Sequence, residues 1–327
     1  MAKMTMVQAV RDAMRVAMEQ DERVVVFGED VGPNGGVFRA TDGLHKEYGE
    51  KRIFDTPLAE SAIIGHAVGM AALGMKPIAE IQFMGFIYEA MDQIASQAGR
   101  LRSRSGGRFN VPMVLRTPFG GGVKTPELHS DSLETIFMHS PGWKIAIPSN
   151  PYDAKGMLLA AIEDPDPVLF MESMPLYRSV KQEVPEEAYT VPLGQANIVK
   201  EGQDATILTY GNMVRVSQRA VEQMEKERDA SIEIVDLRTL IPLDMETIAS
   251  SVEKTGRVVV VTEHVRTAGA ASEIITRINE RSILHVKAPI QRVTGLDTPY
   301  PISALEDDWL PSPKRIQEAL ADVLDFD

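Results

Sequence analysis

The 327-residue chain contains no cysteine. Disulfides, thiolate metal sites, iron–sulfur clusters and a cysteine nucleophile are thereby excluded. Its glycine-rich stretch GGGVKT lacks the spacing of a phosphate loop, which would need glycine where Pro118 and Val123 stand. No G-x-G-x-x-G follows a strand pattern and no G-x-S-x-G occurs, so neither a dinucleotide fingerprint nor a nucleophile elbow is supported. The six histidines, at 45, 66, 129, 139, 264 and 285, show no metal-binding spacing. Long apolar runs are missing as well. The nearest, Ser61 to Met75, is too short and too rich in glycine and alanine to span a bilayer. Arg11, Asp12 and Arg15 interrupt any signal-like segment at the start, so a cytoplasmic protein is expected. Lysine and arginine, 34 in all, are outnumbered by 47 acidic residues, and the net charge of −13 argues against a nucleic-acid partner.

What the chain does contain is alternation. VVVFG (24–28), PIAEI (77–81), PMVLR (112–116), KIAIP (144–148) and PVLFM (167–171) read as buried parallel strands. Helical patterns lie between them near 5–20, 60–74, 86–105, 130–139 and 151–163. Strands alternating with helices predict an α/β domain over residues 1–180. Residues 181–204 are polar, carry prolines and have no helical period, and read as a linker. A smaller α/β domain is expected over 205–327, with strands at 205–210, 232–237, 258–263 and 289–295, helices at 212–228, 245–254 and 268–281, and a last helix at 313–325.

Ligands of open α/β sheets sit at the carboxyl ends of strands. Three polar loops fall there: GEDV (28–31), FDTPLAES (54–61) and PFGGG (118–122). Glu60 is placed in the first turn of a helix. It either complements the helix dipole or, among Leu58, Ala59, Ala62, Ile63 and Ile64, acts as a buried acid–base group. Glu29 follows a strand in the same way, and two such carboxylates can pass a proton between them. Phe83, Phe86 and Tyr88 are either core or a platform for a planar ring. His129, before Ser-Asp-Ser, is either a local cap or a site residue presented by the glycine loop.

GEDVGPNGGVFRAT, FDTPLAESAIIG, EIQFMGFIYEAMDQI, TPFGGGVKTPELHSDSLE and IPSNPYDAKG, in this order and spacing, resemble the beta chains of thiamine-diphosphate-dependent 2-oxo acid dehydrogenases. The likeness continues through VDLRTLIPLD and SVEKTGR and covers essentially the whole chain. It implies a transketolase-type pyrimidine-binding domain followed by a transketolase C-terminal-like domain. It also implies that Glu60 hydrogen-bonds the aminopyrimidine ring of thiamine diphosphate and promotes the tautomer that deprotonates the thiazolium carbon. By the same resemblance Phe86 packs on the pyrimidine, Glu29 belongs to the proton path, and His129 serves acyl transfer to lipoamide. Ala161, Ile162, Asp164 and Asp166 align with a loop that holds potassium through carbonyls in some members. The family's diphosphate and magnesium motif, GDG with paired asparagines, lies on an alpha chain. Here the only similar triplet is Thr41-Asp42-Gly43. The resemblance thus implies a tetramer of two alpha and two beta chains that serves an acyltransferase core through its lipoyl domain. Many members have histidine where this chain has Lys124. The PELHSDSLE form is nearer to pyruvate-specific members than to branched-chain ones. Branched-chain and acetoin-cleaving enzymes are the alternatives within this chemistry, and a non-catalytic scaffold subunit lies outside it.

Overall fold

The computed structural model describes residues 1–326, and they divide into two compact units. The first comprises 1–119 and 128–193, the second 120–127 and 194–326.

The strands of the first unit are β1 (Ala2–Thr5), β2 (Val24–Gly28), β3 (Ile53–Asp55), β4 (Lys76–Glu80), β5 (Val114–Phe119), β6 (Lys144–Ala146), β7 (Val168–Ser173) and β8 (Lys181–Val184). Strands β2 to β7 lie side by side in the order β6-β7-β5-β4-β2-β3, all parallel. Their helices are α1 (Met6–Gln20), α2 (Leu44–Tyr48), α3 (Glu60–Ala72), α4 (Gly99–Arg104), α5 (Glu134–Met138), α6 (Pro151–Glu163) and α7 (Leu176–Ser179). Helix α1 opens with a capping box: Thr5 Oγ accepts from the Gln8 amide, and Gln8 Oε1 accepts from the Thr5 amide. Its apolar face, with Met6, Val10 and Met14, packs on α6 and on one side of the sheet through Val24, Val26, Ile78, Val114 and Phe170. These strand residues alternate, and the intervening Phe27 stacks on Phe54 at 5.2 Å.

Two helices differ from expectation. The segment expected as one helix over 86–105 is a 3₁₀ stretch (Met84–Ala90), a π turn (Asp92–Ala98) and then α4. The wide turn falls where the Ile94 carbonyl accepts the Trp143 indole N–H at 3.0 Å. The helix expected from 130 begins only at Glu134. Ser132 Oγ donates to Glu134 Oε2 at 2.8 Å just ahead of the helix's first turn. The stretch 181–204, expected to be irregular, holds two strands: β8, antiparallel to β1, and the first strand of the second unit.

The second unit contains β9 (Asn197–Lys200), β10 (Ala205–Thr209), β11 (Ile232–Asp236), β12 (Thr239–Ile241), β13 (Val258–Val261) and β14 (Gln291–Val293). Its sheet runs β14-β13-β10-β11-β9, parallel except for β9. Helices α8 (Asn212–Glu227), α9 (Met245–Thr255), α10 (Ala270–Ser282), α11 (Glu306–Trp309) and α12 (Pro313–Leu324) flank it. Met213, Val221, Ile316 and Leu320 cover Ile207, Ile234 and Val259. The expected alternation of this half is present throughout, with ends shifted by a few residues.

Candidate active site

In the first unit β5, β4 and β2 are neighbours and point the same way, so their carboxyl ends share one edge. Glu29 comes directly after β2. The loop that follows is fastened to β3 by the Gly32 amide, which donates to Asp55 Oδ1 at 2.6 Å, and is closed on itself by Thr41 Oγ, which donates to the Val31 carbonyl at 2.6 Å. Gln82 adds a longer bond to the Glu29 carbonyl, at 3.4 Å. Glu29 is 7% exposed, and its Oε1 is buried without a hydrogen-bond partner. Burial, and then the charges of Glu60, Asp30 and Glu80, push its carboxyl up to about 6.

Glu60 is the first residue of α3, 6% exposed, with Ile63 and Ile64 buried behind it. Two of its expected apolar neighbours turn outward instead: Leu58 and Ala62 are exposed. Glu60 thus occupies both of the places its sequence allowed, a first helical turn and a shielded site. Its charge acts on Glu29.

The aromatic stretch splits. Phe83 is core, packed with Val7, Ala40, Met174 and Tyr177. Phe86 is half-buried, and Tyr88 is exposed. The His129 ring lies 4.4 Å from Phe83 and 5.2 Å from Phe86, edge-on to the latter. The chain just before it is seated by Gly85: a Cβ there would overlap the Leu128 carbonyl. The structure therefore brings Phe86 and His129 together, and separately couples Glu29 to Glu60. His129 precedes no helix directly, because α5 begins five residues later.

Sequence reasoning missed a buried ionic group beside Glu29. Arg116 on β5 donates to both oxygens of Glu172 on β7, at 2.6 and 2.8 Å, and to Glu80 on β4 at 2.7 Å. The Tyr177 hydroxyl donates to Glu172 at 2.8 Å. All four side chains are nearly or fully buried. Two carboxylates face one guanidinium, and burial, only partly opposed by Arg116, holds the Glu80 carboxyl above its ordinary range. Burial beside Glu172 raises the Tyr177 phenol well above its ordinary value too. The charges Glu80, Arg116 and Glu172 on the largely apolar neighbouring strands β4, β5 and β7 were the available signal.

The potassium-aligned segment lies at the end of α6. Lys144 Nζ binds both oxygens of Asp164, at 2.7 and 2.6 Å, and Arg102 pairs with Asp166 at 2.6 Å. The Ala161 carbonyl accepts the Asp164 amide at 3.3 Å, and Ile162 is buried. No group of three or more histidine, aspartate or glutamate side chains among the described residues is arranged to hold a metal ion.

The glycine loop, 120–127, belongs to the second unit. Gly120 and Gly122 have φ of +90° and +92°, and a Cβ on Gly121 would overlap the Tyr300 hydroxyl. What comes close to this backbone is a pair of carboxylates. The Gly121 amide donates to Glu263, and the amides of Gly122 and Lys124 donate to Glu306 at 2.9 and 3.1 Å.

A helix-flanked parallel sheet followed by a second, mostly parallel one is the domain make-up of the transketolase class. Residues 2–180 match the family model described as the transketolase pyrimidine binding domain, and residues 194–316 match the transketolase C-terminal domain. A solved structure titled "Split gene transketolase, inactive beta4 tetramer" superposes with a TM-score of 0.81 over 99% of both chains, at 21% identity. Curated relatives are closer in sequence. The pyruvate dehydrogenase E1 component subunit beta of Bacillus subtilis is 56% identical over 326 residues, covering 100% of both chains. The corresponding subunits of Staphylococcus epidermidis and Staphylococcus aureus are 54% and 53% identical over the same span. The chain belongs to the family of pyruvate dehydrogenase E1 component beta subunits.

Proposed function

We propose that this chain, together with an alpha chain, carries out thiamine-diphosphate-dependent oxidative decarboxylation of pyruvate and passes the acyl group to lipoamide on an acyltransferase core. The observation that carries the reading is the buried pair Glu29 and Glu60, one with an unpartnered oxygen, in the unit that also sets Phe86 beside His129. These groups fit one end of the cofactor, a flat ring with a polar edge. When bound, thiamine diphosphate supplies an acidic carbon and an electron sink. Glu60 holds the proton exchanged at the ring nitrogen. Glu29, near pKa 6, is protonated in part at neutral pH and can return a proton to Glu60. Phe86 offers a ring face, and His129 protonates the leaving sulfur of the lipoyl arm.

The diphosphate end finds no match in this chain. The triplet Thr41-Asp42-Gly43 is used locally: Thr41 binds the Val31 carbonyl, and Gly43 precedes α2. The diphosphate and its magnesium are therefore assigned to the alpha chain, in a tetramer of two alpha and two beta chains. Helix α3 suits such a contact, because its exposed face carries Ser61, Ala62 and Gly69 around His66, and small residues let another helix approach. A potassium ion in this reading would take main-chain carbonyls of Ala161, Ile162, Asp164 and Asp166, since the Asp164 and Asp166 carboxylates are ion-paired. The names of the relatives favour pyruvate over branched-chain substrates and acetoin.

Calorimetry tests the shared site. The isolated chain with magnesium should bind thiamine diphosphate weakly or not at all, and adding the alpha chain should restore binding and decarboxylation together. Tight binding by the isolated chain would refute this division of the site. Faster turnover of a branched-chain 2-oxo acid or acetoin than of pyruvate would refute the substrate.

A further inference from the structure

The second unit holds the glycine loop by its backbone. Glu306, the first residue of α11, is fully buried and accepts three hydrogen bonds: the Gly122 amide at 2.9 Å, the Lys124 amide at 3.1 Å and the Tyr300 hydroxyl at 2.6 Å. Glu263, after β13, takes the Gly121 amide. Lys124 Nζ lies 2.8 Å from Asp307 and 3.5 Å from Glu306. A buried carboxylate is costly unless its lone pairs are filled, and here loop amides fill them. Glycine-rich backbone in turn has more freedom to lose than any other, so fixing it needs anchors of this strength. The half-exposed Lys124–Asp307 pair adds little, because exposed ion pairs contribute weakly. The loop leads by five residues from Lys124 to His129.

We propose that Glu306 is a positioning residue for acyl transfer: by gripping the Gly122 and Lys124 amides it holds the 120–127 loop in one conformation and so fixes the stretch of chain that leads directly into His129, the residue assigned above to the lipoyl arm. This role rests on the function proposed above. The grip itself does not.

Glu306→Gln keeps the size of the side chain but exchanges one acceptor oxygen for an amide donor, so it can no longer serve all three donors. Amide hydrogen exchange should accelerate about tenfold or more at Gly122 and Lys124, while exchange in β10 and β13 stays slow. In the reconstituted alpha–beta tetramer with pyruvate, kcat/KM for a lipoyl domain should fall about tenfold. Reduction of an artificial electron acceptor should stay within about twofold. Asp308→Asn, an exposed neighbour, should change neither. Should Glu306→Gln fail to fold, Tyr300→Phe carries the test, since it removes one donor and loosens the same carboxylate; it should raise exchange at the same two amides and lower transfer selectively. Unchanged exchange, or equal losses in both assays, overturns the proposal. Absence of lipoyl transfer in the wild-type tetramer overturns the proposed function and the positioning role with it, while the exchange result still decides the grip.

Discussion

Replacing Glu29 by glutamine should make the protein more stable at neutral pH and less active. The residue is 7% exposed, one of its carboxyl oxygens has no partner, and burial pushes the carboxyl up to about 6 from an ordinary 4.5. Because the folded value is the higher one, the folded chain binds the proton more tightly, and folding loses stability as pH rises from about 4.5 to 6. That difference corresponds to about 2 kcal/mol at full burial and to about 1 kcal/mol once solvent screening is allowed for, all of it lost above pH 6. Burial is the largest cause, so the penalty belongs to ionising the group in place. Glutamine has the same length and no charge to desolvate. The variant's advantage should be small at pH 4.5 and approach about 1 kcal/mol at pH 7.5, or about 2–4 °C in the melting midpoint of a unit of this size. Circular-dichroism melts of both proteins across this pH range measure it. A gap that does not widen with pH, or a glutamine variant less stable at pH 7.5, refutes the reasoning. Lower turnover in the same variant would mean that the destabilising charge is kept for chemistry.

Three other variants probe the site. Glu60→Gln should lose about a hundredfold or more in decarboxylation with little change in folding, and wild-type turnover would return Glu60 to a helix-dipole role. His129→Ala should impair transfer to the lipoyl domain by about a hundredfold while sparing reduction of an artificial acceptor, and equal losses would make it a substrate-positioning group. Arg116→Met leaves Glu80 and Glu172 buried without their cation and should destabilise by about 3–5 kcal/mol, visible as a lower melting midpoint; an unchanged midpoint would mean that the two carboxyls take up protons at little cost.

The parts of this architecture that sequence revealed are those set by local pattern. Runs such as VVVFG and ATILT are apolar enough to be buried strands wherever they fall, and α1 announces itself by a Thr5 cap before an amphipathic repeat. Three-residue strands such as Ile53–Asp55 are too short to leave a pattern, and they form because a neighbouring strand offers its edge. The wide turn at 92–98 depends on Trp143, 49 residues distant from Ile94, which no local window includes.

The candidate site shows the same division. Glu29 and Glu60 were legible because strand-end and helix-start positions are readable one segment at a time. Arg116 was not, because a charge inside a strand is informative only once the strands on either side are known. Parallel neighbours β4 and β7 bring Glu80 and Glu172 to it from 36 and 56 residues away. The glycine loop was the hardest to interpret. Its composition said that something approaches the backbone, but the approaching groups, Glu263, Tyr300 and Glu306, come from more than 140 residues later. Glycine can therefore announce a close contact without naming the partner, and here the partners are carboxylates and a phenol of the loop's own unit.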